Sequence, residues 1–152
     1  MLYATRDRTA PRKAAETGPV ARLLPARLTG GGPPVRKTDM SIVRLDKGPR
    51  MSEAVIHGNT VYLAGQVAEG ADVATQTRGV LAQIDALLER AGTSKANILT
   101  ATIWLSDIAD FAEMNSVWDS WVDKDNPPAR ATSEGKLAAP KFKVEIIVVA
   151  AK

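Results

Sequence analysis

From residue 42 onward the apolar positions of the chain change period several times. Ile42 to Leu45 has the make-up of a short strand. Glu53–His57 and Thr60–Ala64 alternate as two extended segments, with His57-Gly58-Asn59 as the hairpin turn between them. The period then lengthens. Val73, Thr77, Val80, Leu81, Ile84, Leu87, Leu88 and Ala91 recur at three and four, which predicts one apolar stripe along a helix. Asp72 is placed to cap its start, and Gly92 to end it in the left-handed conformation. Ile98–Leu105 predicts a strand with apolar residues on both faces. Asp110, with Glu113 three residues on, predicts a capping box opening a second helix. The stripe of that helix is Phe111, Met114, Val117, Trp118 and Trp121. Pro127-Pro128 stops helical structure. Arg130–Glu134 and Lys143–Ala151 are the last two extended runs.

The predicted order is therefore β-β-β-α-β-α-β-β. Two helices suit one face of one sheet. Ile98–Leu105 and Val144–Ala151 are apolar on both sides, and each large aliphatic side chain gains roughly 1.5–3 kcal/mol on burial. The second face is expected to be covered by another copy of the chain in a closed homo-oligomer. The competing expectation is that the N-terminal strands or the tail fold over it.

Composition changes this picture mainly at the N-terminus. Residues 1–39 are rich in Pro and Gly and keep no apolar period, so they read as linker or disorder. Three readings compete: a solvated tail, an Arg-rich targeting arm, or an upstream extension of the reading frame with Met40 as the true start. The third is favoured, because strand-like alternation begins directly after Met40. A domain is expected over residues 40–152. The Gly30-Gly31-Gly32 run lacks the strand before it and the Lys-Ser/Thr after it that a phosphate loop needs. The tail holds eight Lys/Arg against three acids, a net +5, whereas residues 40–152 hold twelve against fourteen, a net −2. The basic character belongs to the tail, and nucleic acid is not expected as the main partner of the body. With no cysteine and one histidine, disulfides, thiol nucleophiles and thiolate or His-rich metal sites are excluded. No run is long enough to span a bilayer, and no secretory apolar segment is present. No membrane partner is expected, and a cytoplasmic location is.

Two residues near the C-terminus carry the candidate chemistry. Strand alternation puts Arg130, Thr132 and Glu134 on one face and the small Ala129, Ala131 and Ser133 on the other. A guanidinium beside small residues can grip a carboxylate with both arms of its fork. The plainer reading is a surface ion pair. Glu145 lies between Val144 and Ile146-Ile147, so partial burial is expected. Burial raises a carboxyl pKa unless a cation compensates, and a nearby Arg130 would hold this one ionised. An acid so placed can position water or move protons. The plainer reading is a buried structural ion pair. His57 reads as an exposed turn residue, Asp107 and Asp110 as strand-end and capping residues, and the three tryptophans as core or interface anchors.

The segments "VYLAGQVA", "TRGVLAQIDALLERAG", "ATIWLSDIADFAEMNSVW", "PPARAT" and "KVEIIVVAA" resemble the RidA (YjgF) family over roughly residues 42–151. The opening "PRMSEAVIHGNTVYLAGQ" is similar to its YoaB-type subgroup. The resemblance implies an α+β, chorismate-mutase-like (YjgF-type) mixed sheet with two helices on one face. It implies a homotrimer with a central barrel and pockets between subunits. It also implies cofactor-independent hydrolysis of reactive 2-imino (enamine) acids to 2-oxo acids and ammonia. By resemblance Arg130 grips the substrate carboxylate and Glu145 holds the attacking water and its protons. Thr132 occupies the usual cysteine position and offers backbone groups, and the amides around Gly65 line the same pocket.

Two positions depart from RidA proper. Met51 stands where a pocket tyrosine is usual, and Ala64 where a serine is usual. Both changes remove polar groups beside the expected substrate. A non-catalytic trimer that binds a 2-oxo acid therefore remains open as the alternative function. RNA cleavage or translation inhibition, also associated with the family, is a third and weaker one.

Overall fold

The structure, a computed structural model, describes residues 40–152. The expectations for residues 1–39 lie outside the described residues. The elements run β1 (Ile42–Leu45), β2 (Ala54–His57), β3 (Thr60–Leu63), α1 (Val73–Ala91), β4 (Ile98–Leu105), α2 (Phe111–Trp121), β5 (Ala129–Glu134) and β6 (Val144–Ala151). This is the order expected from the periodicity, with strand ends moved by a residue. Two 3-10 turns, Lys95–Asn97 before β4 and Ile108–Asp110 before α2, were not foreseen.

The six strands form one mixed sheet in the order β1-β2-β3-β6-β4-β5. β4 and β5 are parallel, while the other neighbours are antiparallel. The β2–β3 hairpin closes at Gly58-Asn59, with His57 paired to Thr60 and Gly58 at φ 57°. A positive φ favours glycine at that corner.

α1 is the element most strongly specified. Its stripe, Val73, Thr77, Val80, Leu81, Ile84, Leu87, Leu88 and Ala91, is buried together with Gln76. The Asp72 carboxylate accepts from Thr75 N at 2.7 Å, and Gly92 closes the helix at φ 83°. Each fully buried Val, Ile or Leu on this stripe contributes roughly 1.5–3 kcal/mol of transfer free energy. Gln76 is buried for a polar reason. Its amide donates to the Gly70 and Lys141 carbonyls, and its oxygen accepts from Lys143 N. It ties the segment entering β6 to the first turn of α1.

The start of α2 differs from the expected capping box. Asp110 is already helical, at φ −76° and ψ 0°, and its side chain caps nothing. A capping residue needs an extended backbone to turn its side chain onto the following amides. That geometry falls to Asp107, whose carboxylate accepts from Ala109 N at 2.9 Å. Within the expected stripe Met114, Val117 and Trp118 are buried, whereas Phe111 is exposed and Trp121 half-buried.

The helices cover one face of the sheet. Val144, Ile146, Val148 and Ala150 of β6 are buried beneath them, while Glu145, Ile147, Val149 and Ala151 point the other way and are only half-buried. Tyr62 and Trp104 share that second face and remain exposed. Within one chain nothing among the described residues covers it as α1 and α2 cover the first.

Candidate functional site

Register decides where the two chemical residues go. Arg130 on β5 lies opposite Ala101, and Glu145 on β6 lies opposite Trp104. Both partners sit on β4, three residues apart. An odd separation on a strand means opposite faces. Arg130 therefore projects on the helix-covered side, and Glu145 on the open side. The expected meeting of Arg130 with Glu145 does not occur inside one protomer.

The Arg130 half is built by α2. Arg130 Nη1 donates to Asn115 Oδ1 at 2.7 Å, and its guanidinium carbon lies 5.2 Å from the centroid of the buried Trp118 ring. Asn115 and Trp118 are three apart on one helix, so they face the same neighbour. The amide fixes one arm of the guanidinium and the indole supports its plane through a cation–π contact. Arg130 has no carboxylate partner among the described residues, so the surface ion pair is not seen. Its remaining donors are available to a ligand. Thr132, on the same side of β5, is half-buried, and its hydroxyl oxygen is buried without a hydrogen-bond partner. So is Asp110 Oδ2, 3.9 Å from Lys143 Nζ. The sequence reading missed Asn115 and the contact of Trp118 with Arg130. The available signal was a polar residue set between buried Met114 and Trp118 on the helix nearest the Pro-Pro-Ala-Arg strand.

The Glu145 half is built by the end of β3. Gly65 lies directly against the Glu145 carboxylate. A Cβ there would overlap Glu145 Oε1 and fall 2.9 Å from the carboxyl carbon. The glycine is thus needed for close approach. Next to it, Gln66 and Ile146 exchange backbone hydrogen bonds of 2.9 and 3.1 Å. These fix the loop carrying Ala64 and Gly65 to the strand carrying Glu145. Ala64 N donates to the Glu53 carbonyl, and Met51, two residues before Glu53, is exposed at the same end of the sheet. The structure therefore brings Glu145, Gly65 and Ala64 to one end of the open side, leaves Met51 exposed in the segment before β2, and sets Arg130 and Thr132 apart from them. Glu145 has no cation or hydrogen-bond partner among the described residues, so the buried ion pair is not seen either. No cluster of three or more metal-ligating side chains is present among the described residues.

His57 is exposed at the hairpin, as expected for a turn residue. No helix among the described residues is long and apolar enough to cross a membrane.

The family model described as Endoribonuclease L-PSP matches residues 42–152. The RutC family protein YoaB of Escherichia coli is 52% identical over 114 residues, covering 74% of this chain and 99% of that protein. A RutC family protein of Haemophilus influenzae is 49% identical, covering 73% of this chain and 98% of its own. A crystal structure of a YjgF family member from Neisseria meningitidis superimposes with a TM-score of 0.73 at 47% identity, over 74% of this chain and 96% of its own.

Proposed function

The chain belongs to the RidA (YjgF/RutC) family, in its YoaB-like group, and from that premise we propose that it hydrolyses reactive 2-imino acids to 2-oxo acids and ammonia. The observation that carries the reading is a pair of unsatisfied opposite charges. The Arg130 guanidinium is held by Asn115 and Trp118 with no counter-carboxylate among the described residues. The Glu145 carboxylate is held against Gly65 with no cation. Each half lacks what the other half, plus a carboxylate-bearing substrate and a water, would supply.

Because the two groups leave opposite faces of one sheet, the complete site is assigned to the junction of two protomers. One supplies Arg130 and Thr132, and its neighbour supplies Glu145, Gly65, Ala64 and Met51. A closed trimer gives three identical junctions. It also covers the open face, where Tyr62 and Trp104 are exposed and Ile147 and Val149 half-buried.

At such a junction Arg130 binds the substrate carboxylate and orients the imine carbon toward the water on Glu145. Water adds to the C=N carbon. The imine reacts in its protonated form: Glu145 accepts a proton from that water as the new C–O bond forms, while the nitrogen takes up the C=N electron pair and becomes the neutral amine of a carbinolamine. Glu145 then returns its proton to that amine. The C–N bond breaks with its electron pair leaving on ammonia, and the carbinolamine hydroxyl gives its proton to the freed Glu145 carboxylate as it becomes the C=O of the 2-oxo acid. An imine carbon is electrophilic enough for binding, orientation and one proton shuttle to suffice.

A second reading is binding of a 2-oxo acid without turnover. It is favoured by the asymmetry of the halves, since the carboxylate grip is complete within one chain. The family name points to RNA cleavage, but residues 40–152 carry twelve basic against fourteen acidic side chains, which gives a polyanion little to hold.

The test is decay of imines generated in situ by an amino-acid oxidase. The wild type should accelerate it. Arg130→Ala should lower kcat/KM about 10²–10⁴-fold, from the loss of two charge-assisted hydrogen bonds of about 1.5–3 kcal/mol each. A wild type that leaves the uncatalysed decay unchanged, yet is thermally stabilised by 2-oxobutanoate, selects the binding reading.

A further inference from the structure

A cleft of about 350 Å³ opens on the helix-covered side, lined by neither Arg130 nor Glu145. Gln83, Ala86, Leu87 and Arg90 form one wall, from a single face of α1. Asp46, just past β1, and Glu53 and Gln66, beside β2 and β3, form the other. The volume falls within the range of small-molecule sites.

Its charges are unevenly matched. Arg90 makes a two-armed pair with Asp46, at 2.7 and 2.8 Å. Asp46 adopts φ 48°, a left-handed conformation that Asp tolerates better than most residues, and this turns the chain at the end of β1. The pair satisfies itself. Glu53 is left over. Its half-buried carboxylate accepts one hydrogen bond, from Gln66 Nε2 at 3.1 Å, and has no cation within ion-pair distance among the described residues. The lining thus holds two acids against one base and carries a net −1.

We propose that this cleft binds a small primary ammonium group with a short apolar stem, through Glu53. The ammonium has three donors. The Glu53 carboxylate can take one, and the side-chain oxygens of Gln66 and Gln83 can take the others. Leu87 and Ala86 offer the stem an apolar wall. One free carboxylate is a poor site for a hard divalent cation, which takes six or more oxygen ligands or keeps several waters. An anion meets the uncompensated Glu53 charge, and the Arg90 fork is already filled.

The position also links the cleft to the Glu145 half. Gln66 Nε2 donates both to Glu53 and to the Ala64 carbonyl, each at 3.1 Å, and the Gln66 backbone pairs with Ile146 beside Glu145. A cation drawing on Glu53 competes with the amide that holds the Ala64-Gly65 turn.

The experiment is an NMR titration of the full chain with n-butylammonium chloride, with sodium butyrate and sodium chloride as controls at equal ionic strength. The Gln66, Gly65 and Arg90 amides should shift saturably with one Kd for butylammonium only. Glu53→Gln keeps the side-chain shape and should weaken binding at least tenfold. Ala86→Phe, at an exposed helix position, fills the mouth of the cleft and should abolish the shifts while leaving the circular dichroism unchanged. Absence of saturable shifts in the wild type overturns the proposal. So does equal perturbation of the same amides by butyrate, or by sodium chloride. If Glu53→Gln unfolds, Ala86→Phe decides: retained binding there overturns the proposal.

Discussion

Arg130 and Glu145 have unlike surroundings. The guanidinium leaves an edge strand, yet α2 reaches over to hold it through Asn115 at 2.7 Å and the Trp118 ring. The carboxylate leaves a central strand, flanked by β3 and β4, and lies against the bare backbone of Gly65. The edge residue is pre-organised by side chains, and the central residue by the absence of one. A binding group must keep one orientation to recognise a carboxylate, whereas a proton carrier needs free oxygens and room for water. The two environments suit the tasks proposed for Arg130 and Glu145.

The largest effect should come from separating the halves genetically. Arg130→Ala and Glu145→Ala proteins, each nearly inactive, are co-refolded in equal amounts. If the chain forms the proposed closed trimer, with Arg130 from one protomer and Glu145 from its neighbour, random mixing regains about one quarter of the wild-type sites. A mixture as inactive as its components would place both groups of each site on one chain and break the comparison.

Substituting Gly65 tests the carboxylate half alone. The Cβ of Gly65→Ala overlaps the Glu145 carboxyl. The obstacle is the far end of a flexible side chain, so the carboxylate swings aside and the fold survives. A displacement of about 1 Å at a reacting group can cost up to about 10²-fold in rate, and a 10–10²-fold fall in kcat is expected with the melting temperature nearly unchanged. A large loss of stability with normal kcat per folded molecule would mean that Gly65 serves the backbone and not Glu145.

Asn115→Ala should act more mildly, and on binding. Losing one positioning hydrogen bond, worth about 1 kcal/mol, should raise KM roughly three- to tenfold and leave kcat nearly constant, since Trp118 still supports the ring plane. A fall in kcat at constant KM would place Asn115 at the reacting atoms.

The same contrast explains what was legible beforehand. α1 was readable from its apolar stripe, its Asp72 cap and Gly92, because each acts within a few residues. Strand order along the chain and the exposed second face followed from local pattern too. The faces of Arg130 and Glu145 did not. They depend on Ala101 pairing with one and Trp104 with the other, a register set by three strands together. Alternation within β5 correctly grouped Arg130 with Thr132 and Glu134, but it carries no information about β6. The Asp110 cap failed for a related reason. The 3-10 turn Ile108–Asp110 is secured by Glu134, whose carboxylate accepts from Ile108 N at 2.9 Å across 26 residues. The turn commits Asp110 to a helical backbone before α2 begins.

The smallest expected effect concerns acid. Asp72 lies below the usual carboxylate range, chiefly because its carboxylate accepts from the Thr75 backbone N–H. Asp46 is lowered by its hydrogen bonds from Arg90, and Glu69 by Lys141. A carboxyl whose pKa is lower folded than unfolded adds stability above its unfolded value, and loses it as pH falls through the folded one. Stability should therefore stay level near neutrality and decline as pH drops below the ordinary carboxylate range. Asp72→Asn keeps a capping oxygen but cannot titrate, so it should flatten part of that decline, measured as melting temperature against pH. All three groups are exposed and in none does the shift involve Arg130 or Glu145, so the acid loss should be unchanged in Arg130→Ala. An altered acid profile in that variant would mean that Arg130 helps hold the protomer together, and its preparation by Asn115 and Trp118 would then belong to folding rather than to binding.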